Sequence, residues 1–401
     1  MNTQIEKLYQ ISKKEERTII GLMSGTSLDG LDIAVCRLKA SGKHTQVSVL
    51  HFVTVDYDAQ FKNRVKDIFS KRTVDLEKVC LMNDWIGIEH GKMINKALLN
   101  WGLKSSDIDI IASHGQTIYH APKWMHQLEN FGNATLQIGD GDHLAVTTGI
   151  ITISDFRQKH IAAGGEGAPL AVYGDYLIFS SEEENRIMLN MGGIANFTYL
   201  PASLDATEVY STDVGTGNTL MDAYVQKHFE GTYFDKDAAI AKQGIINNDL
   251  LKELLQHSFF KQDFPKTTGP ELFNLAYLEA AQKATATEQL NHFDVMATLN
   301  AFSASAIIDA LKKCIKDDAK PYSIYASGGG MHNPLLMHQL QTALPDISFK
   351  TTKDLHIQPD AKEAVLFAVL ANETLAGEGL AIGKNNVDVP AVCMGKISFT
   401  N

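Results

Sequence analysis

The chain has 401 residues, 44% hydrophobic and 21% charged, a balance typical of a globular protein of about two domains. Its 36 basic and 47 acidic residues give a net charge of −11, which argues against non-specific binding to nucleic acid or anionic lipid. The four cysteines lack metal-type spacing, the charged N-terminus lacks a signal-peptide core, and no apolar run reaches membrane-spanning length. We therefore expect a soluble, cytoplasmic protein with reduced thiols.

Residues 19–35 predict a strand, a turn and a second strand. The turn, at residues 21–30, contains three glycines, three hydroxyl groups and one acid, Asp29. Glycine permits positive φ angles and close approach of a ligand, and exposed backbone N–H groups in such turns bind anions. Taken alone, an Asp-Gly turn is also compatible with an ordinary hairpin.

A second segment of the same design follows about 170 residues later. Residues 186–190 predict a strand, residues 191–195 a turn that contains Gly192 and Gly193, and residues 196–200 a second strand. One glycine turn is a weak signal. Two matching turns, one in each half of the chain, predict a phosphate group that is held from both sides.

The remaining elements complete two similar halves. In the first half we expect a strand at residues 46–55, helices at 59–69 and 76–99, and a buried strand at 109–113 followed by a polar turn at 114–117. In the second half we expect a loop at 211–218, helices from about 219 and at 248–256, 272–285 and 294–317, a strand at 322–326 that ends in glycines, and a helix at 335–344. A final helix is expected at residues 361–376.

This order predicts an α/β protein with two duplicated lobes around a cleft. We expect an N-terminal lobe at residues 1–148 and a C-terminal lobe at residues 149–360. The C-terminal helix and tail, at about residues 361–401, are expected to pack on the first lobe. No linker rich in Pro, Ser or Gly separates the two halves.

Duplicated lobes with glycine-rich turns resemble the actin, sugar kinase and Hsp70 superfamily, whose lobes are ribonuclease H-like. The motifs more specifically resemble the anhydro-N-acetylmuramic acid kinase family, and they are collinear over essentially the whole chain after the first 17 residues. The matching segments are GLMSGTSLDGLDIA (21–34), SHGQTIYH (113–120), LQIGDGDHLA (136–145), DFRQKHIAAGGEGAPL (155–170), NMGGIANFT (190–198), DVGTGNTLMDA (213–223), FDKDAAIAKQG (234–244), SGGGMHNPLLM (327–337) and AKEAVLFA (361–368).

The resemblance implies a kinase that uses ATP, Mg²⁺ and water. The family reaction opens the 1,6-anhydro ring of a recycled cell-wall sugar and phosphorylates O6, which yields N-acetylmuramic acid 6-phosphate. A base activates the water that attacks the anomeric carbon. The resemblance also implies a homodimer.

For the nucleotide, the resemblance places the ATP phosphates over the two glycine turns and the adenine and ribose over residues 327–330. Asp29 is expected to be catalytic and to hold Mg²⁺ through water, because this cation prefers oxygen ligands and keeps much of its hydration shell. An Asx-turn residue is the alternative role of Asp29. The implied ATP-binding residues are Gly25, Thr26, Ser27, Leu28, Asp29, Gly30, Gly192, Gly193, Gly328, Gly329 and Asn333.

For the sugar, the resemblance implies contacts from both halves of the chain. The implied substrate-binding residues are His114, Gln116, Asp155, Glu166, Asp213 and Asn218. In the loop at 213–218 the family usually has Pro where this chain has Thr216, a change that removes a preset φ angle. Asn218 is also suited to cap the helix that follows it.

The catalytic base is the position where this chain departs from the family pattern. That pattern has aspartate where this chain has His160, and glutamine where it has Glu166. Histidine can act as a general base at neutral pH, so His160 is expected to be catalytic, with Glu166 or Asp155 as alternative bases. Three outcomes stay open: an enzyme with a histidine base, a kinase for a different sugar, or a homologue that binds nucleotide and sugar as a sensor with little turnover.

Overall fold

The computed structural model describes residues 2–317, 319–383 and 389–401, which form runs of consecutive strands as well as strands separated by helices. The strands are β1 (Glu16–Ser24), β2 (Gly30–Lys39), β3 (Gln46–Asp56), β4 (Ile110–Ala121), β5 (Ala134–Ile138), β6 (Thr152–Ser154), β7 (Asn185–Met191), β8 (Ile194–Leu200), β9 (Tyr210–Thr216), β10 (Tyr322–Ser327), β11 (Ser348–Thr351) and β12 (Lys396–Ser398).

Side-chain caps explain where several helices begin. Asp75, Asn291 and Asn333 each accept a hydrogen bond from a first-turn backbone N–H, as Asx residues do at helix N-termini. The helices are α1 (Thr3–Lys13), α2 (Ala59–Lys66), α3 (Leu76–Trp101), α4 (Lys123–His126), α5 (Gly141–Thr148), α6 (Phe156–Ala162), α7 (Ala171–Phe179), α8 (Thr219–His228), α9 (Asn248–Leu254), α10 (Leu275–Thr285), α11 (His292–Cys314), α12 (Pro334–Ala343) and α13 (Lys362–Ala376).

The chain forms two compact units. Unit 1 contains Met1–Phe179, Ala206–Glu208 and Leu355–Asn401, and unit 2 contains Ser180–Asp205 and Val209–Asp354. Unit 1 extends beyond residue 148, where the sequence placed the end of the first lobe, because β6 pairs with β4 and α7 packs on α13. Within the expected tail at 361–401, residues 384–388 lie outside the described residues.

The sheet of unit 1 has the strand order β12-β6-β4-β1-β2-β3, and β5 pairs with β4 at one side. Strands β1, β2 and β3 form an antiparallel meander, whereas β4 and β6 run parallel to β1. Helix α13 lies on this sheet so closely that a methyl group at Gly21 would be 1.8 Å from the carbonyl oxygen of Ala364. Gly21 is therefore a packing requirement of β1, not part of a ligand-binding turn.

The sheet of unit 2 repeats this path. Its order is β11-β10-β7-β8-β9, in which β7, β8 and β9 are antiparallel neighbours and β10 and β11 run parallel to β7. Both units thus share an antiparallel meander followed by two parallel strands, the strand order of ribonuclease H-like lobes. The expectation of a duplicated α/β fold is confirmed.

Helix α11 is the central helix of unit 2. By length and composition it would also pass as a membrane span, with a mean hydropathy of 1.2, but 78% of that segment is buried in the structure. This burial is typical of the core helix of a globular domain. The sequence analysis predicted no apolar run of membrane-spanning length, whereas this helix meets that criterion by length and composition.

Two predicted turns are wrong in extent. Strand β1 continues through Ser24, so the first turn is shorter than the predicted residues 21–30. The predicted polar turn at 114–117 is wrong, because β4 runs through it and Gln116 pairs with both Ser24 of β1 and Ile138 of β5. Pattern reasoning missed this continuation because a buried strand is expected to be an apolar run, whereas His114, Gln116 and Thr117 are polar.

Candidate active site

Residues 25–29 form the turn between β1 and β2 in unit 1. Leu28 is buried and left-handed, with φ of 58°, whereas Thr26, Ser27 and Asp29 are exposed. Leu28 thus fixes the turn to the core and leaves two hydroxyl groups and a carboxylate at its surface. A methyl group at Gly25 would meet no atom closer than 3.8 Å, so packing does not explain this glycine. Open space beside Gly25 is compatible with close approach of a ligand.

Gly30 differs from Gly25 because its surroundings are full. A methyl group at Gly30 would lie 2.6 Å from the carbonyl oxygen of Val55 on the neighbouring strand. The sequence assigned both glycines to nucleotide binding, yet strand packing alone accounts for Gly30. Of these two glycines, only Gly25 has open space beside it.

A buried chain of side chains supports the first turn. The Ser24 hydroxyl lies 2.7 Å from the Tyr57 hydroxyl and donates to Gln116 Oε1 at 2.5 Å, and the Tyr57 hydroxyl lies 2.8 Å from His90 Nε2. The Gln116 amide donates to the carbonyl oxygen of Gly25 at 3.3 Å. Burial lowers the pKa of His90 to about 3, so this imidazole stays neutral at physiological pH. Gln116, which is expected to bind substrate, is fully buried and bonded to the turn.

His114 is also directed inward. Its Nε2 accepts a hydrogen bond from Arg157 Nε at 2.9 Å, and its ring lies 4.8 Å from that of Phe367. Burial, together with the Arg157 charge, lowers the pKa of His114 to about 3. A neutral imidazole that accepts from arginine orients the guanidinium. Arg157 in turn donates to the carbonyl oxygen of Gly167 at 2.7 Å.

The loop after α6 wraps around His160. This side chain is fully buried, and its Nδ1 accepts a hydrogen bond from the backbone N–H of Gly167 at 3.0 Å. A methyl group at Gly165 would lie 2.2 Å from His160 Cε1, so glycine is required where the loop crosses the imidazole. In this geometry His160 fixes the loop, and its predicted role as a base requires that water reach a fully buried ring.

The two alternative bases lie nearer the surface. Asp155 follows β6 with a left-handed φ of 56°, its side chain is 26% exposed, and it pairs with Lys396 Nζ at 2.5 Å. The Glu166 side chain is 37% exposed and lies 3.5 Å from His120 Nε2, and it accepts from the Trp124 indole N–H at 3.4 Å. Each carboxylate is accessible to water, which His160 is not.

The glycine turn of unit 2 is held by backbone hydrogen bonds. The N–H of Gly217 donates to the carbonyl oxygen of Gly193 at 2.8 Å, and the N–H of Asn218 donates to that of Gly192 at 2.9 Å. A methyl group at Gly193 would lie 2.5 Å from Thr219 Oγ1, whereas one at Gly192 would meet nothing closer than 3.6 Å. A side chain at Gly193 would therefore have to displace Thr219, whereas Gly192 has open space beside it.

The loop after β10 packs against the same turn. Gly328 has φ of 81°, and a methyl group there would lie 2.6 Å from Asn190 Oδ1. Asn333 is almost buried and caps α12 by accepting from the N–H of Leu336 at 2.9 Å. The loop at 328–330 therefore lies directly over the end of β7. The positive φ angle at position 328 favours glycine there, and the capping bond to α12 accounts for Asn333.

Asn218 and Asp213 take local roles in unit 2. The side-chain amide of Asn218 donates to the carbonyl oxygen of Met191 at 3.3 Å and forms no cap to α8, so the alternative role as a helix cap is wrong. Asp213 Oδ2 accepts from the N–H of Thr268 at 2.8 Å, and burial raises the pKa of this carboxyl. Both side chains order the loops near the end of the sheet.

Metal binding by protein side chains alone is not supported. Among the described residues, no group of three or more His, Cys, Asp or Glu side chains is arranged to hold a metal ion. A cation that keeps most of its water ligands and binds phosphate oxygens needs only one or two carboxylates from the protein. The exposed Asp29 is suited to that limited task.

Unit 1 also contains a cavity of about 560 Å³ where β6 ends and α5 begins. Two of the predicted substrate-binding residues, His114 and Asp155, line it together with residues that the sequence reasoning missed, among them Ser113, Asp140 and Lys396. A signal for Asp140 was present, because it lies within the motif LQIGDGDHLA (136–145). Lys396 had no such signal, because β12 is far along the chain from β6, with which it pairs.

Comparisons with known proteins agree with the motif pattern. A model of the family described as anhydro-N-acetylmuramic acid kinase matches residues 17–395. A protein of this name from Pseudoalteromonas atlantica is 58% identical, with both chains covered completely, and one from Caldanaerobacter subterraneus is 38% identical, covering 98% of this chain and 100% of its own. Among solved structures, an activator of 2-hydroxyisocaproyl-CoA dehydratase from Clostridium difficile with bound ADPNP aligns over 89% of this chain and 95% of its own, at 13% identity and a TM-score of 0.34.

Proposed function

Because the chain belongs to the anhydro-N-acetylmuramic acid kinase family, and so is a phosphotransferase that acts on an alcohol group, we propose that it phosphorylates anhydro-N-acetylmuramic acid. In the proposed reaction, ATP and water open the 1,6-anhydro ring, and the product is N-acetylmuramic acid 6-phosphate. This reaction belongs to the recycling of cell-wall amino sugars. It would take place in the cytoplasm, and the homodimer implied by the family stays a prediction.

The observation that carries the nucleotide part is the matched pair of open glycines. Gly25 and Gly192 each stand in the turn between the first two strands of a sheet, and a methyl group at either would meet no atom closer than 3.6 Å. Backbone at such a turn can approach phosphate oxygens closely. We assign the ATP phosphates to residues 25–30 and 192–193, and the adenine and ribose to Gly328, Gly329 and Asn333.

Asp29 is assigned to the divalent cation. Its carboxylate stands at the exposed tip of a turn whose position is fixed by buried Leu28, so it is available without breaking a structural contact. Mg²⁺, when bound, would neutralise charge on the transferring phosphoryl group. Thr26 and Ser27 supply further oxygen atoms beside it.

The reaction can be balanced without a covalent intermediate. The oxygen of water attacks the anomeric carbon, the C1–O6 bond breaks, and the water proton passes to a base. O6 then takes the γ-phosphoryl group, and ADP leaves. The protein must therefore supply a proton acceptor near C1, and the candidates are His160, Asp155 and Glu166.

Of the three, His160 needs the largest structural change in order to act as a base. It is fully buried, and its Nδ1 is engaged with the N–H of Gly167, whereas both carboxylates have exposed side-chain surface. The geometry therefore favours a positioning role for His160 and proton transfer by a carboxylate. His114, Gln116, Asp213 and Asn218 would act by ordering loops around the sugar rather than by binding it through free side chains.

An assay of ADP release tests the proposal. The full-length protein is incubated with ATP, Mg²⁺ and anhydro-N-acetylmuramic acid, and ADP is followed by a coupled reaction. We expect ADP release that depends on the sugar and stops when EDTA is added. ADP release at the same rate without the sugar would contradict the proposal, and sugar binding with no ADP release would instead favour a sensor.

A further inference from the structure

Helix α11, the central helix of unit 2, contains polar side chains that are fully buried. Thr298, Asn300 and Ser303 are each 0% exposed, within a helix whose other buried residues are mostly apolar. Burying a polar group costs free energy unless the group forms a hydrogen bond. The partners of these three side chains therefore indicate what each of them does.

The partners of Thr298 belong to the fold of unit 2. Its hydroxyl group donates to the carbonyl oxygen of Asp294 at 2.7 Å and accepts from the N–H of Asn247 at 2.9 Å. The Asn247 side chain in turn caps α9 by accepting from the N–H of Leu250 at 2.9 Å. Thr298 thus joins α11 to the start of α9, far along the chain from the glycine turn.

Ser303 bonds instead to the segment that holds the glycine turn. Its hydroxyl group donates to the carbonyl oxygen of Gly217 at 2.8 Å. The N–H of Gly217 donates to the carbonyl oxygen of Gly193 at 2.8 Å, and a methyl group at Gly217 would lie 2.2 Å from the carbonyl oxygen of Gly192. Ser303, Gly217 and Gly193 therefore form a continuous series of hydrogen bonds from the core helix to the turn.

The neighbours of Ser303 on α11 contact this part of unit 2 in less directional ways. Ala306 Cβ, one turn later, would lie 3.2 Å from a methyl group at Gly215, which is an apolar contact. Asn300, one turn earlier, places its amide nitrogen 3.9 Å from Met221 Sδ, and a thioether sulfur is a weak acceptor. Apolar contacts hold a segment close without fixing its orientation, whereas a hydrogen bond depends on direction. Of these three residues, Ser303 is the one suited to orient the backbone of the neighbouring loop.

We propose that Ser303 is a positioning residue for ATP, which orients the Gly217 peptide and thereby holds the turn at residues 192–193 in the arrangement that receives the phosphates. The inference rests on the proposed function, which assigns the ATP phosphates to this turn. A turn that is already ordered loses little conformational freedom when the nucleotide binds, so more of the interaction free energy appears as affinity. Because Ser303 is fully buried, it acts through Gly217 rather than by touching the nucleotide.

Calorimetric titration of the full-length protein with a non-hydrolysable ATP analogue tests the proposal. We expect Ser303→Ala to weaken binding of the analogue by about fivefold or more, and to raise KM for ATP in the same proportion, because one hydrogen bond is lost. The value of kcat at saturating ATP and the KM for the sugar should each change by less than about twofold. Ser303→Thr keeps the hydroxyl group and should recover most of the affinity for the analogue.

Thr298→Val is the matched control, because it removes a hydroxyl group that is equally buried in the same helix. Both variants should lower the thermal transition, but only Ser303→Ala should weaken binding of the analogue and speed amide hydrogen exchange at residues 216–219 of the nucleotide-free protein. Unchanged affinity in folded Ser303→Ala, or an equal loss of affinity in Thr298→Val, would overturn the inference and leave the proposed function in place. A wild-type protein that binds no ATP analogue would contradict the proposed function, and the inference with it.

Discussion

The two glycine turns occupy the same place in two sheets of the same strand order, yet side chains and backbone groups share their anchoring in different proportions. In unit 1, side chains provide most of the support: buried Leu28 fixes the turn to the core, and Gln116 bonds to the carbonyl oxygen of Gly25, beside one backbone bond from the Tyr57 N–H to the Asp29 carbonyl oxygen. In unit 2, most of the support comes from the backbone: the carbonyl oxygens of Gly192 and Gly193 accept hydrogen bonds from N–H groups of residues 217–219, beside one side-chain bond from the Asn218 amide to the Met191 carbonyl oxygen.

This difference separates two tasks. Because buried side chains anchor the first turn, the exposed side chains of Asp29, Thr26 and Ser27 at its tip are free. This turn can therefore place chemical groups near a phosphate. Backbone anchoring gives the second turn a fixed shape with few side chains, which suits positioning of the nucleotide. The two units thus share a strand order, whereas their turns differ in chemistry.

Asp29→Asn removes the charge of the first turn and should have the largest effect. We expect kcat to fall by about a hundredfold or more, with ATP and sugar affinities changed by less than about threefold, because an amide is a poor ligand for Mg²⁺. Steady-state kinetics at saturating Mg²⁺ measure this split. Asp346→Asn, which changes an exposed aspartate of unit 2 outside the assigned site, is the matched control. Near-normal turnover of Asp29→Asn would mean that Asp29 is only a turn residue.

Gly193→Val disturbs the second turn at a position where a new side chain would meet Thr219. The new side chain would clash with Thr219 Oγ1, only 2.5 Å from the position of a methyl group, and displace the turn. We expect ATP affinity to fall by about tenfold or more while unit 1 keeps its thermal transition. Calorimetric titration with a non-hydrolysable ATP analogue checks this, and unchanged affinity in a folded variant would remove the turn from the nucleotide site.

Lowering the pH should reduce the free energy of unfolding of unit 1 through His90, which belongs to the buried chain of side chains that supports the first turn. Because burial lowers the pKa of His90 to about 3, the unfolded chain binds a proton between about pH 3 and 6.5 that the folded chain does not, so stability falls as pH falls through this range. His90→Gln should reduce the slope of the free energy of unfolding against pH by roughly 1.4 kcal/mol per pH unit. Urea titrations followed by tryptophan fluorescence report on unit 1, since Trp85, Trp101 and Trp124 all lie there.

The matched control for this titration is His44→Gln, which replaces an exposed histidine of the same unit and should leave the slope unchanged. An identical slope in wild type and His90→Gln would mean that His90 becomes protonated in the fold, against its burial. The turn of unit 2 contains no titratable group in its anchoring bonds, so acid should not act on it in this way.

The smallest effect is expected from alanine at the open glycines. Gly25→Ala and Gly192→Ala should leave the thermal transition within a few degrees, since each methyl group has space, but should weaken ATP binding severalfold. Gly30→Ala is the contrasting variant, because its methyl group would lie 2.6 Å from a backbone oxygen and should destabilise unit 1. Normal ATP affinity in both open-glycine variants would contradict the phosphate assignment.

Much of the fold could be predicted from the sequence. Alternation and helical periodicity located β3, α3 and α13, and Asp75 explains why the predicted start of α3 is correct. The duplication was also readable, because the two glycine turns interrupt apolar strands in the same way. Local patterns carry these features, so no tertiary knowledge was needed.

The candidate site could be predicted only in part, because its geometry depends on contacts between residues that are far apart in the sequence. His114 and Gln116 have the chemistry of ligand-binding residues, but Arg157 and the first turn engage them. His160 occupies a position that motif reasoning assigns to a base, yet Gly165 and Gly167 enclose it. Lys396 could not be foreseen, since only strand pairing brings it to Asp155.

The composition of the reaction product tests the central claim most directly. Wild-type protein is incubated with ATP, Mg²⁺ and anhydro-N-acetylmuramic acid, and the sugar product is analysed by mass spectrometry. The account predicts a product that has gained one water and one phosphoryl group, with the phosphate on O6. A sugar that gains a phosphoryl group without water, or water without a phosphoryl group, would contradict coupled ring opening and phosphorylation.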